Sequence, residues 1–354
     1  MSIQSTQRMV FNDNYWGPPR ERRPELKLKP NTQTTASPLI YSHTIGRGEQ
    51  TGQGFRYPVA LAINPRTGLM YVANRSYEYR LELKRITICT VDEQYVSQFS
   101  TGGFDDGQMF WPRGLAIDNK DNVYLSDEWL NRISIWTADG DYLGKWGTAG
   151  SGDGELNRPA GIAFDSQDNL FVVDGSNHRI QKFTQDGRFL AKWGSFGSGA
   201  GQFNFPWGIE IDANDHVYVA DWRNDRIQKF SPAGDFVMQF GSSGTGEGQF
   251  KRPSDVAVDK DGDIYVTDWD NDRLQMFDAS GNHLYTFLGE ATLSKWGVAK
   301  LDANNYMWHE RQDAWGLERV QYFEHPIAVD IDSEGRILVL EPYRTRIQVY
   351  TKNR

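Results

Sequence analysis

The feature that most constrains this chain is a repeat. A proline opens each of six similar stretches: "PVALAIN" from Pro58, "PRGLAID" from Pro112, "PAGIAFD" from Pro159, "PWGIEID" from Pro206, "PSDVAVD" from Pro253 and "PIAVDID" from Pro326. Successive prolines lie 54, 47, 47, 47 and 73 residues apart, so the period is 47. A period of this size marks units that bury their apolar faces only against their neighbours. The two irregular spacings trace to six extra residues between Asn74 and Arg85 with one more between Asn64 and Asn74, and to 26 extra residues after Phe287.

Inside a unit such as Arg158–Gly194, apolar and polar residues alternate with period two, the mark of β-strands. "GIAFD", "NLFVVD", "RIQKF" and "FLAKWG" read as strands a, b, c and d, joined by Asp/Asn/Gly turns such as "DSQDN" and "TQDG". Four short strands per repeat describe a propeller blade, so the expected fold is all-β, a six-bladed β-propeller over residues 39–354. The last unit ends at "RIQVYTKNR", after its strand c, and "LIYSHTIG" from Leu39 supplies the missing strand d. The N-terminal strand would thus complete the last blade and remove an open sheet edge. Residues 288–322 form an insertion between blades 5 and 6. Residues 1–38 read as an extended arm, because "YWGPPRERRPELKLKP" is rich in proline and charge. Tyr15 and Trp16 could seat that arm on a neighbouring subunit.

A net charge of −9 offers no long-range attraction for a phosphate backbone and argues against a nucleic-acid partner. The single cysteine, Cys89, excludes an intrachain disulfide and reads as a small buried residue. No apolar run has the length of a signal peptide or a membrane span, so the expected location is cytoplasmic, without membrane attachment.

The "NHRI" of Asn177–Ile180, within the recurring D-x-x-N-x-R-I-Q pattern, resembles the NHL repeat, and the resemblance extends over all six units. The Trp-Asp and Gly-His marks of WD40 blades are not placed as that family requires. NHL relatives include lyases, hydrolase-like enzymes, RNA binders and scaffolds, so the resemblance speaks to fold before function. The peptidyl-amidoglycolate lyases, which share it, bind zinc through histidines from separate blades, in many cases one residue after the strand-a proline. Those positions here hold Arg113, Ala160, Trp207, Ser254 and Ile327, and the zinc histidines are not carried over.

Two motifs have plain readings. "GSGAGQF" and "GTGEGQF" look like phosphate-binding loops but open no helix, and read as flexible turns between blades. Asp127, Asp174, Asp221 and Asp268 end strand b while Arg132, Arg179, Arg226 and Arg273 begin strand c. A pair needed once per blade is structural: Asp accepts turn hydrogen bonds and pairs with Arg.

Positions where one unit departs from its equivalents carry the functional reading. Two residues after the proline come Ala60, Gly114, Gly161, Gly208, Asp255 and Ala328; four residues after it come Ala62, Ala116, Ala163, Glu210, Ala257 and Asp330. Strand a is innermost, so Glu210, Asp255 and Asp330 place three carboxylates near the axis on adjacent blades. Carboxylates so confined are costly unless paired or metal-bound. They could each make a private hydrogen bond, act as acid or base, or share a hard divalent cation, Ca²⁺ foremost. Gluconolactonase-like relatives hold an axial metal, and the resemblance implies the same here. Arg113 and Trp207 stand one residue after the proline, at the tunnel mouth, where Arg could bind a substrate carboxylate or stabilise an oxyanion and Trp could form an apolar wall. Loops on that face contribute Trp129, Trp222, Trp269 and Tyr343. The insertion, with Trp296, Trp308, His309, Glu310, Arg311 and Trp315, reads as a lid over the mouth, and His309 as its titrating group.

The expected function is therefore a lyase- or hydrolase-type enzyme acting on a small organic molecule at the tunnel mouth. Arg113, His309 and Glu210 would be catalytic, Trp207, Trp222, Trp269 and Trp308 would bind substrate, and Glu210, Asp255 and Asp330 would hold the cation. The alternative is a non-catalytic scaffold that meets a protein partner, or a second copy of itself, through the Trp-rich face, the arm or the lid.

Overall fold

The computed structural model describes residues 37–303, 305–312 and 319–353. The N-terminal arm, apart from its last two residues, lies outside the described residues, as does Trp315. Six four-stranded antiparallel sheets stand around one axis. Blade 1 runs through Pro58–Ile63, Leu69–Asn74, Arg85–Thr90 and Tyr95–Phe99, and blade 2 through Pro112–Ile117, Val123–Asp127, Arg132–Trp136 and Tyr142–Trp146. Blade 3 comprises Pro159–Phe164, Leu170–Asp174, Arg179–Phe183 and Phe189–Trp193; blade 4 Ile209–Ile211, Val217–Asp221, Arg226–Phe230 and Phe236–Phe240. Blade 5 comprises Pro253–Val258, Ile264–Asp268, Arg273–Phe277 and His283–Phe287; blade 6 Ala328–Ile331, Ile337–Glu341, Arg346–Lys352 and, as its strand d, Leu39–Ile45. Leu39 pairs with Lys352 and Ile45 with Ile347, so the first and last strands of the ring are hydrogen-bonded neighbours.

Strand b lies between a and c with a neighbouring blade on either face, and it is buried along its whole length in blades 2–6. That is why it reads as a near-continuous apolar run, whereas strand d alternates and faces water. The core is laid between blades: Met70 and Val72 of blade 1 pack with Leu338, Leu340 and Val349 of blade 6. Proline opens strand a in blades 1, 2, 3 and 5, at the one position of a strand where a missing N–H is cheap. The residue before it is left-handed in Tyr57, Arg158, Phe205, Arg252 and His325. In blades 3–6 its amide is clasped by the previous blade: Arg158 N–H donates to Asn131 Oδ1 (2.7 Å), Phe205 to His178 Nδ1 (3.0 Å), Arg252 to Asp225 Oδ1 (2.7 Å) and His325 to Asp272 Oδ1 (2.9 Å).

The Asp–Arg ladder is structural. Asp221 Oδ2 accepts from Arg226 Nε (2.9 Å) and its Oδ1 from the Asn204 amide (2.8 Å), while the rest of the guanidinium donates to the carbonyls of Ser198, Gly199 and Gln202. Asp174–Arg179, Asp268–Arg273 and Glu341–Arg346 repeat the pair. Blade 2 departs from it: Asp127 accepts from the amides of Phe110, Trp111, Trp129 and Leu130, and Arg132 Nε finds no acceptor. The glycine loops that read as flexible turns are held in place by these arginines, which grip their carbonyls.

The insertion contributes two short helices, α1 (Lys295–Asp302), capped by Ser294, and α2 (Asn305–Gln312). Helix α1 packs at the seam where the ring closes. Trp296 is buried against Phe55, the Lys300 ammonium meets Glu49, and Lys295 Nζ donates to the Asp92 carbonyl.

Candidate active site

Strand a of every blade lines one axial cavity of about 190 Å³. Arg113, Trp207, Glu210, Asp255 and Asp330 all line it, so five of the side chains singled out from the sequence do meet in one place. Each of the three carboxylates is walled in by the ring yet keeps some surface toward the tunnel, within reach of water.

The three carboxylates are not equivalent. Asp330 accepts from the amides of Ile331 (2.7 Å) and, across the ring closure, Ile63 of blade 1 (3.0 Å). Asp255 accepts from the Val329 amide of blade 6 (3.1 Å). A Cβ built on Gly208 would fall 2.4 Å from Asp255 Oδ1, so a glycine is needed where this carboxylate crosses to blade 4. These two aspartates staple neighbouring blades through backbone amides. Glu210 has no hydrogen-bond partner in another blade among the described residues. Burial raises its pKa well above the usual carboxylate range, and the charges of Asp330 and Asp255 raise it further, which favours its protonated form. Burial lifts Asp255 to about 7, against the amides of Val329 and Val256 and the Arg113 charge. It also lifts Asp330 to about 7, against the amides of Ile331 and Ile63.

The shared cation site expected of Glu210, Asp255 and Asp330 is not formed. Among the described residues no three His, Cys, Asp or Glu side chains stand together as metal ligands. Two of these carboxylates are turned to amide donors, the opposite of what a cation demands of its ligands. The residues present therefore do not fit the axial metal that the resemblance implied.

The lid reading also changes. None of the described insertion residues lines the axial cavity. Trp308 Nε1 donates to Asp302 Oδ1 (2.9 Å) within the insertion, away from any substrate role at the tunnel. His309 sits on α2, and its side chain lies outside the described residues. Trp222 and Trp269 are buried behind the wall: Trp222 packs edge-on to Trp207 at 4.7 Å, and Trp269 stacks on His325 at 4.4 Å.

Trp222 and Trp269 lie behind Trp207, Tyr343 packs against Tyr57, and Trp111 and Trp129 of blade 2 pack on each other beside Arg75. Blades 1–3 present Arg75, Arg113, Glu128 and Arg158, with Glu128 lying 3.8 Å from Arg75 and 3.9 Å from Arg158. Arg75, Glu128 and Arg158 were missed in the sequence. The residue after strand b is Arg75 or Glu128 in blades 1 and 2 but Gly175, Trp222, Trp269 or Pro342 elsewhere, so the comparison of repeats, applied there, would have found two of them.

Two family models match the chain. Residues 211–333 match one described as a "6-bladed beta-propeller" and residues 156–183 match the NHL repeat. The chain is a six-bladed β-propeller with a match to the NHL repeat in blade 3. No curated protein matches it. Among solved structures it is similar to a protein of unknown function from Bacteroides thetaiotaomicron (19% identity, 89% of this chain and 76% of that one, TM-score 0.59). It is similar also to a streptogramin B lyase (13%, 84% and 79%, 0.53) and to a catalytically inactive variant of virginiamycin B lyase from Staphylococcus aureus with quinupristin (14%, 84% and 80%, 0.54). At these identities the likeness is one of fold.

Proposed function

We infer that this NHL propeller is an enzyme of lyase or hydrolase type that takes a small organic molecule at its axial tunnel, with Glu210 as proton donor. The observation that carries the reading is the contrast within the carboxylate trio. Asp255 and Asp330 hold the ring together, whereas Glu210 faces the same cavity without a stapling role, and its surroundings favour the protonated form. An enclosed carboxyl with a raised pKa suits general acid catalysis, which needs a proton available at neutral pH for a departing oxygen or nitrogen. The lyases among the structural neighbours support the choice of reaction class. Wild type and Glu210→Gln, screened against small esters, lactones, amides and hydroxy acids, test it. Turnover should fall by roughly 10²–10⁴ in the variant, at unchanged thermal stability; equal turnover in both proteins removes Glu210 from the chemistry.

The scaffold reading draws on one observation. Tyr77 and Tyr79 stack on each other while exposed, in the six-residue insertion of blade 1, and Phe104 is exposed on the same face. Stable partner capture by the wild type, abolished by Tyr77→Ser/Tyr79→Ser, together with no turnover in the screen, would favour it.

A further inference from the structure

We propose that the tunnel mouth holds a small organic monocarboxylate on the Arg113 guanidinium, which names the substrate class of the site and rests on reading the tunnel as a substrate site.

Arg113 is 6% exposed, as buried as Arg179 and Arg226 of the ladder. Those two spend their guanidinium donors on a carboxylate and on loop carbonyls. Arg113 makes no hydrogen bond or ion pair among the described residues, and its Nε is enclosed without an acceptor. Its contact is with a ring: the guanidinium carbon lies 3.8 Å from the centroid of Trp207. Stacking occupies one face of the guanidinium and leaves the in-plane N–H groups for another partner, and those groups match the two oxygens of a carboxylate. Ala160 of the intervening blade has only a methyl group at the equivalent position, which lets Arg113 reach from blade 2 to blade 4. Burial lowers its pKa to about 9, so it stays charged at neutral pH.

The charged groups around Arg113 are Glu128 and Arg75 of the mouth, Asp255 within the tunnel and the Tyr57 hydroxyl. Glu128 lies 3.8 Å from Arg75 and 3.9 Å from Arg158, so its charge is shared with two other guanidiniums and not reserved for Arg113. Asp255 and Asp330 in the same cavity set the charge of the ligand: a phosphate dianion would meet them at double cost, whereas a planar single charge fits both the fork and the field.

Acetate and benzoate are the probes, followed by isothermal titration and thermal shift against chloride and phosphate at matched ionic strength. Both carboxylates should bind and raise the melting temperature, by mass action, and phosphate should not. Binding should tighten as pH falls from 8 to 6, because Asp255 and Asp330 take up protons in that range and cease to repel the anion. Arg113→Met and Arg113→Lys should each weaken binding by roughly tenfold or more, the lysine because it keeps the charge and loses the fork. Should the methionine variant not fold, the lysine variant decides. Carboxylate binding equal to that of chloride in the wild type, or unchanged in the lysine variant, overturns the proposal. Glu210→Gln separates the two readings. Loss of turnover in that variant with no carboxylate binding by the wild type sinks only the subsite, whereas binding without any effect of Glu210→Gln on turnover sinks only the proton donor.

Discussion

The ladder at the blade tops and the trio at the axis use the same chemistry, buried carboxylates and buried arginines, to opposite ends. In the ladder each charge is spent: Asp221 accepts from a guanidinium, an asparagine and an amide, and Arg226 gives what remains to three loop carbonyls. At the axis Glu210 has no partner in another blade and Arg113 has a ring in place of an acceptor. Repetition is the outward sign of the difference. A pair that recurs in blades 3–6 is selected for holding a blade together, and a charge that appears once is free to meet something else. The aspartates at the axis qualify that rule, because Asp255 and Asp330 are singular in sequence and still staple blades.

The largest effect should come from breaking the ladder. Asp221→Ala leaves the Arg226 charge and the Asn204 amide buried without their acceptor, and removing one partner of such a pair costs about 3–5 kcal/mol. Urea denaturation at pH 7 reads it directly. A loss under 1 kcal/mol, the scale of an exposed ion pair, would mean that water replaces Asp221 and that the ladder is as open to solvent as the axis.

The axis should respond in the opposite sense. The folded-state pKa of Asp330 is raised, from an unfolded value of 3.8 to about 7. Its stabilising contribution is therefore complete below pH 4, shrinks as the unfolded chain releases its proton, and is lost once pH passes about 7. Asn cannot ionise and keeps an oxygen for one of the two amides. Asp330→Asn should be no more stable than wild type at pH 4 and more stable at pH 8. Thermal melts across that range are the check, and a wild-type slope in the variant would show that Asp330 is ionised throughout.

The repeat made the fold legible because propeller blades are set by short-range alternation and turn chemistry, both visible in one unit. The closing strand was legible for the same reason: the last unit lacks its strand d, and Leu39–Ile45 has the pattern of one. Convergence of Arg113, Trp207, Glu210, Asp255 and Asp330 followed from the geometry of the ring. What a carboxylate does after it converges depends on rotamer and on which amides lie within about 3 Å, and periodicity is silent on both; hence a cation site was read where Asp255 and Asp330 accept from amides. The insertion misled differently. Its tryptophans signal burial, and a sequence does not say against what; Trp296 is buried against Phe55 at the seam.

The smallest test lies between blades 5 and 6. Lys352, near the end of the chain, sets its ammonium 2.6, 2.8 and 2.7 Å from the carboxylates of Asp259, Asp261 and Asp263 in the turn of blade 5 between strands a and b. Burial opposes its charge, yet the three carboxylates outweigh that and hold the lysine above its usual pKa. The pairs sit at the surface, where an ion pair contributes about 0–1 kcal/mol, but the removal of Lys352 also leaves three like charges in one turn. Lys352→Met should lower stability by about 1 kcal/mol at low ionic strength, and the deficit should shrink in 1 M salt, where the screening length is about 3 Å. Asp221→Ala, whose charges are out of the reach of solvent, should keep most of its deficit in the same salt. If both variants recover alike, the ladder charges are solvated, and the contrast between a sealed framework and an open axis loses its footing.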